Sequence, residues 1–449
     1  MVINRRQKNQ YIIQPCEDTF MTTRSTHMTH FLLTNTVLKE WFQPMVMALE
    51  KVRFFETKFR ALPMQTFILT GCLRQLLATQ SLREQIQKLF HLDESASELP
   101  VARSTWSDAL AAPERRDILR QATAQLVTFA REQLPDVLAG VPGINDRSVL
   151  AMDATYQTES CHYYRVLPKE GGDDNQKGHM LLTYFDLRRN IPVWVRTETA
   201  SLGEMRVLKQ ESTDSQDWSR VKKAIYVVDR AFIDGCYWDE RKQKLSCTII
   251  TRLKSEMVYE ILENRPISTT IWNENVLSDE RITLRCSKLE WRLIEWLSPE
   301  GIHYQYITND FTLEPGVVAF LYHRRWAEEK FFDNFKNDLC NARAWGKSAV
   351  GIEQQALLGF VTYILTCLFL KDKQSALGLT ESETTQHRKH AIKKEAYLYD
   401  GIGVACHAFY VVLSKIPRQV WRFLQNCFLK KSSPALYERQ LKPLLVKYL

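Results

Sequence analysis

The stretch Tyr322 to Lys336, YHRRWAEEKFFDNFK, constrains this 449-residue chain more than any other. It sets Tyr322, Arg325, Glu329 and Lys336 at steps of three, four and seven. At ~100° per residue, a helix gathers those four within an arc of about 60°, with Asp333 beside them. A neighbouring stripe is apolar, Leu321, Phe332, Phe335 and Leu339. That stripe would bury the helix and turn the polar arc into a cleft. Glu328 lies ~100° from Glu329, so Glu329 is the candidate for a site. A carboxylate between an arginine and a lysine suits metal and phosphate chemistry: the acid holds a hard cation and the bases hold phosphate oxygens. An amphipathic helix with solvated i,i+4 ion pairs has the same spacing, so its meaning depends on the rest of the chain.

The length allows a large core and two or three domains. A hydrophobic share of 45% and a charged share of 25% are those of a soluble globular protein. The net charge of +8 is unevenly placed. Residues 340–449 hold 16 Lys and Arg against 7 Asp and Glu, a net of +9, which leaves −1 for residues 1–339. A basic C-terminal region points to a polyanion, nucleic acid first, or to a solvated surface. The ten cysteines include no C-x-x-C pair, which argues against metal knuckles and a secreted disulfide framework and for a reduced, cytoplasmic setting. The N-terminus lacks the apolar core of a signal peptide. The apolar run Ala356 to Leu370 is about 15 residues, short of the ~20 that span a bilayer, and reads as a buried helix with no membrane partner.

Residues 1–30 read as an irregular leader, with Met21 and Met28 as alternative starts. Residues 31–145 carry apolar residues at helical spacing and read as a helical N-terminal domain, a candidate for DNA binding. Ser104 is placed to cap one of its helices. Strands follow at Ser148 to Tyr156, Met180 to Leu187 and Pro192 to Thr199, with a polar loop at Lys169 to Gly178 and a helix over about 202–217. Ala224 to Asp229, AIYVVD, has the texture of a strand buried on both faces. From about 245 to 312 the chain is rich in Thr, Ile, Trp and Tyr between turns, including TIITRL and TTIWNE, which reads as a β-rich insert. Helix returns at Pro315 and continues through a basic C-terminal region, 340–449.

Three acids stand out within residues 146–339. Asp153 lies near the end of the first strand, Asp229 ends the buried strand, and Glu329 sits on the helix. Sites gather at the carboxyl ends of parallel strands. Two strand-end aspartates and a helix glutamate can hold two divalent metals, which activate a water or 3′-hydroxyl and stabilise the leaving oxygen. Hard oxygen donors without a Cys or His cluster select Mg²⁺, with Mn²⁺ able to substitute.

At these residues the chain resembles the DDE transposases of bacterial insertion sequences, in particular the IS-four-like family marked by Y-x2-R-x3-E-x6-K. Tyr322, Arg325, Glu329 and Lys336 match that spacing without a gap, and VLAMDATY and YVVDRAFIDG resemble the two aspartate motifs. The first reads Asp-Ala-Thr where the family has Asp-Gly-Thr. The resemblance implies an α/β ribonuclease-H-like catalytic core with a β-rich insertion, flanked by helical N- and C-terminal regions. It implies two Mg²⁺ ions on Asp153, Asp229 and Glu329, and DNA phosphates on Tyr322, Arg325 and Lys336. It implies cut-and-paste transposition: binding the terminal inverted repeats of the chain's own element, metal-dependent cleavage, and strand transfer to target DNA by a homodimer in a synaptic complex. The setting would be bacterial cytoplasm, nucleoid-associated when bound to DNA. Several members pass through a hairpin in which a tryptophan of the insert handles a displaced base, and Trp272, Trp291 and Trp296 are the candidates by location.

Two other readings share these motifs. One is a catalytically silent DNA-binding regulator of the element, which intact acids argue against. The other is a nuclease of the same fold without strand transfer. His179 and His323 read as structural, and Arg388, Lys389, Lys393 and Lys394 as a basic cluster that meets DNA without specificity or simply faces solvent.

Overall fold

The computed structural model describes residues 35–77, 81–84, 86, 101–145, 147–158, 178–199, 202–210, 218, 221–298, 301–339, 341, 343–346, 348–376, 378, 416, 418–429, 439–441 and 443–445. The leader, most of the polar loop after β1 and the basic cluster at 388–394 lie outside the described residues.

A nine-stranded mixed sheet runs through the molecule in the order β3-β2-β1-β4-β5-β9-β8-β7-β6. The first five strands are β1 (Val149–Thr158), β2 (Gly178–Asp186), β3 (Ile191–Thr199), β4 (Ile225–Val228) and β5 (Thr248–Arg252). β1, β4 and β5 are parallel, while β2 runs antiparallel between β1 and β3, so that β1, β2 and β3 form a meander. All four residues of β4 are buried, as a parallel strand covered on both faces requires. TIITRL, read above as the start of the insert, supplies β5 and completes the parallel trio. Burial of this run hides the alternation that would have separated it from its neighbour.

The added strands are β6 (Tyr259–Asn264), β7 (Val276–Leu284), β8 (Glu290–Leu297) and β9 (His303–Thr308). They form an antiparallel meander that joins the core sheet where β9 pairs with β5. TTIWNE is not a strand: Ile271–Asn273 forms a 3₁₀ turn. That turn backs onto Gly316, where a Cβ would stand 1.6 Å from the Trp272 carbonyl oxygen. Glycine is required there, because the obstacle is backbone and cannot swing aside.

Helices α1 (Thr36–Glu50), α2 (Met64–Leu77), α3 (Arg103–Ala111) and α4 (Pro113–Gln133) precede the sheet. Proline stands at the first position of α4, where its missing N–H costs nothing. Ala102 rather than Ser104 occupies the N-cap of α3. The short α5 (Glu204–Lys209) follows β3, and α6 (Gly235–Leu245) follows β4. Then come α7 (Pro315–Arg324), α8 (Trp326–Asp333), α9 (Ala349–Ala376) and α10 (Arg418–Leu429). The apolar α9 is long enough to cross a bilayer, but 94% of its most apolar window is buried in protein. It packs on α1, α2, α4 and β3, so helices from both ends of the chain share one core with the sheet. Gln355 is matched inside that core: it donates to the Arg343 carbonyl at 2.9 Å and accepts the Trp345 N–H at 2.6 Å.

Candidate active site

The register of β1 against β4 brings the two aspartates together. Met152 lies opposite Val228, so Asp153 and Asp229 are the next residues along adjacent parallel strands, which lie ~4.8 Å apart. Each carboxylate is fixed by a short local bond: Asp153 Oδ1 accepts the Ala154 N–H at 2.8 Å, and Asp229 Oδ1 accepts the Arg230 N–H at 2.7 Å. In the second case Asp229 begins a 3₁₀ turn, Arg230–Phe232, which α5 packs against.

The signature stretch is not one straight helix. α7 ends at Arg324, Arg325 joins it to α8, and a π-helical turn, Asn334–Asp338, follows α8. The Arg325 N–H bonds the Tyr322 carbonyl at 3.1 Å and the Glu328 N–H bonds the Arg325 carbonyl at 2.9 Å, both i to i−3 steps that tighten the turn. The expected 60° arc is therefore redrawn by two local changes of pitch. Its polar members still point to one place. Arg325 Nη1 lies 3.6 Å from Asp153 Oδ2, and Arg325 Nη2 donates to Glu329 Oε1 at 2.7 Å. Lys336 is half-buried within reach of the Asp153 charge; its burial lowers the ammonium pKa and that charge opposes the shift. Tyr322 is only 6% exposed, with its ring 5.1 Å from Tyr306 and 5.6 Å from the Arg325 guanidinium. It braces Arg325 from below.

The electrostatics are those of crowded carboxylates. Burial, with repulsion from Asp229 and Glu329, lifts the Asp153 carboxyl to about 6 against the pull of Arg325 and the Ala154 N–H. Burial alone would weaken the Arg325 charge, but Tyr322, Asp153, Glu329 and Glu328 outweigh it and hold the guanidinium protonated. Two further acids belong to this cluster. Glu204, at the start of α5, is lifted to about 7 by burial and by the charges of Asp153 and Asp229. Glu328 is fully buried, and burial and Asp153 push its carboxyl well up. Sequence reasoning set Glu328 aside because it is turned from Glu329, but that turn faces it toward Asp153. Glu204 carries no spacing signal, since a six-residue helix outside any motif brings it in.

Among the described residues, no three His, Cys, Asp or Glu side chains converge closely enough to hold a metal ion as they stand. Arg325 bridges Asp153 and Glu329 instead. The donor set nonetheless fits a hard divalent cation, with oxygen ligands only, adjacent strand-end aspartates and a buried carboxylate lacking partners.

Two of the three insert tryptophans, Trp291 and Trp296, are buried away from any stacking role. Trp291 is 1% exposed and donates its indole N–H to Ser287 Oγ at 2.7 Å. Trp296 is 4% exposed, packed against Tyr304 and the His323 ring at 5.0 Å. Trp272 is half-buried and meets Phe320 edge-on at 5.3 Å. These rings make the insert's core and its seam with α7, because large aromatics bury the most apolar area per residue. His323 joins that cluster through Tyr306 Oη at 3.0 Å, a structural role as its sequence position suggested. Trp326, which follows Arg325 in the chain, is 53% exposed.

Residues 144–365, which hold every strand and acid of this site, match the family described as the transposase DDE domain. The chain carries a transposase DDE domain. It is a DNA transposase, and its chemistry is metal-dependent phosphoryl transfer. A solved cryo-EM structure, a piggyBac transposase synaptic complex with hairpin DNA, aligns over 95% of this chain and 85% of that one. The identity there is 12% and the TM-score 0.37. A search of curated proteins finds no match to the chain.

Proposed function

We propose that this transposase is of the IS-four-like kind and moves a bacterial insertion sequence by cut-and-paste. The observation that carries the reading is the register that sets Asp153 and Asp229 side by side at strand ends, with α8 packed on β1 above them. The strand order β3-β2-β1-β4-β5, with β1, β4 and β5 parallel, supports a ribonuclease-H-like core flanked by the helices. Asp153, Asp229 and Glu329 would hold divalent ions, Mg²⁺ by donor hardness, with Mn²⁺ able to substitute. Such ions activate a water or 3′-hydroxyl and stabilise the leaving oxygen. The chain's own groups do the rest. Arg325 moves from the carboxylates to a phosphate, Lys336 grips a second phosphate, and Tyr322 holds Arg325 in aim. Trp326 offers the exposed ring on which an unstacked base can rest. The DNA partners are the element's terminal inverted repeats and the target, bridged by a homodimer in the cytoplasm.

The test is nicking of a labelled DNA carrying a complete pair of the element's ends. Nicking with Mg²⁺, lost in EDTA and in Glu329→Gln, is expected, followed by joined products. Tight specific binding with no nicking in any lane would replace this reading with that of a silent regulator, and nicking without joining with that of a nuclease.

A further inference from the structure

Glu328 has no part in the roles above, yet its environment is the most demanding in the site. The side chain is 0% exposed, and neither carboxylate oxygen has a hydrogen-bond partner. The backbone N–H of Asp153 lies near it, but no bond of ordinary geometry forms. Its charged neighbours are Asp153, Arg325 and Glu329. Arg325 spends its terminal nitrogens on Asp153 and Glu329, so no cation serves Glu328 directly. A buried acid without a partner is strongly disfavoured, and a fold that keeps one has a use for it. The Glu329 side chain is 41% exposed. The two glutamates, ~100° apart on α8, thus differ in setting, Glu329 facing solvent and Glu328 the interior beside Asp153.

We propose that Glu328 is a further carboxylate ligand of the divalent-cation site, reaching it from the buried side of α8. The inference rests on the reading of Asp153, Asp229 and Glu329 as the site's other ligands. Hard divalent cations take six or more oxygens, more than three carboxylates bound through one oxygen each provide. A cation beside Asp153 would supply the partner that both Glu328 oxygens lack. It would also relieve the crowding of negative charge that a single guanidinium now offsets.

The test is Mn²⁺ titration of the full chain, with free Mn²⁺ read by electron paramagnetic resonance, alongside thermal melting with and without Mn²⁺. Glu328→Gln and Glu328→Met should each weaken Mn²⁺ binding by at least about tenfold. Metal-free Glu328→Met should melt no lower than the parent, because it removes an unpartnered polar group at similar volume. Should Glu328→Met fail to fold, Glu328→Gln alone decides. Asp153→Asn is the reference. If it loses Mn²⁺ while the Glu328 variants bind as the parent does, the role of Glu328 is refuted and the site reading stands. If the parent binds no Mn²⁺, both are refuted.

Discussion

Replacing Arg292 by methionine should loosen the seam between the insert and the signature helix. Arg292 (β8) and Asp279 (β7) form a buried pair, with side chains 2% and 1% exposed. Two parallel bonds join them, Nε to Oδ1 at 2.6 Å and Nη2 to Oδ2 at 2.7 Å. Nη1 also donates to the carbonyls of Leu313 at 2.6 Å and Asp310 at 3.2 Å, on the segment that leads into α7. Removing one partner of a buried pair costs about 3–5 kcal/mol. Arg265 stays within 3.4 Å of Asp279, which argues for the low end of that range. The stranded carbonyls add about 1–3 kcal/mol, so the single change should cost about 4 kcal/mol or more. Arg292→Met with Asp279→Leu removes both buried charges and leaves the carbonyls unpaired, while the part-exposed Arg265 keeps the Phe311 carbonyl at 3.0 Å and solvent, so the double variant should be the more stable of the two. Urea unfolding followed by tryptophan fluorescence reads the effect directly, since Trp291 is the neighbouring residue of β8. A single-variant cost under about 1 kcal/mol, or a double variant no better than the single, would refute the reasoning.

Asp310 gives a pH test away from the acids of the site. Burial alone would raise its carboxyl, but the Leu313 and Thr312 N–H groups and the Thr312 and Thr248 hydroxyls hold it below the usual range. A depressed carboxylate contributes its stability above the unfolded pKa and loses it as pH falls through the folded value. The stability gap between the parent and Asp310→Asn should therefore be constant from pH 7 to about 5 and shrink below about 4; a gap that grows on acidification contradicts this. Trp326→Ala should leave thermal stability within about 0.5 kcal/mol, as for an exposed side chain, yet slow nicking or hairpin formation on end DNA. Normal processing by that variant would remove Trp326 from the DNA interface.

The catalytic strands could be read because their chemistry is local. AIYVVD is apolar to its last residue, so a buried strand ending in an acid is nearly its only meaning. Arg325, Glu329 and Lys336 still gather near Asp153 although their spacing is read on an unbroken helix, because the i to i−3 turn at Arg325 and the π turn at Asn334 alter pitch by less than one residue's step each. Roles that depend on packing were out of reach. Trp291 and Trp296 sit in the insert, and only the closure of the β9-β8-β7 meander shows their rings turned inward. Glu204 arrives through α5 packing on the turn after Asp229, a contact between residues that no periodicity relates. The spacing of Glu328 from Glu329 does not show that it faces Asp153 on β1, which only the packing of α8 on that strand reveals.

The break at Arg325 has a reason in the sheet. Because β9 pairs with β5, the chain leaves the insert on the side of the sheet away from β1, and α7 packs on β4, β5, β7, β8 and β9. The acids it must meet belong to β1 and the end of β4. α8 packs on β1 instead, so the chain changes its bearing between the two helices, at the residue whose guanidinium ties Asp153 to Glu329. One residue thus sets both the course of the backbone and the charge balance among the carboxylates. On this argument Arg325→Lys keeps the charge but loses the forked reach to two acids. It should misplace Glu329 in metal-free protein and lose activity at low Mn²⁺, with partial recovery at high Mn²⁺. A lysine variant with full activity at low Mn²⁺ would show that the turn is held by α7 and α8 packing alone.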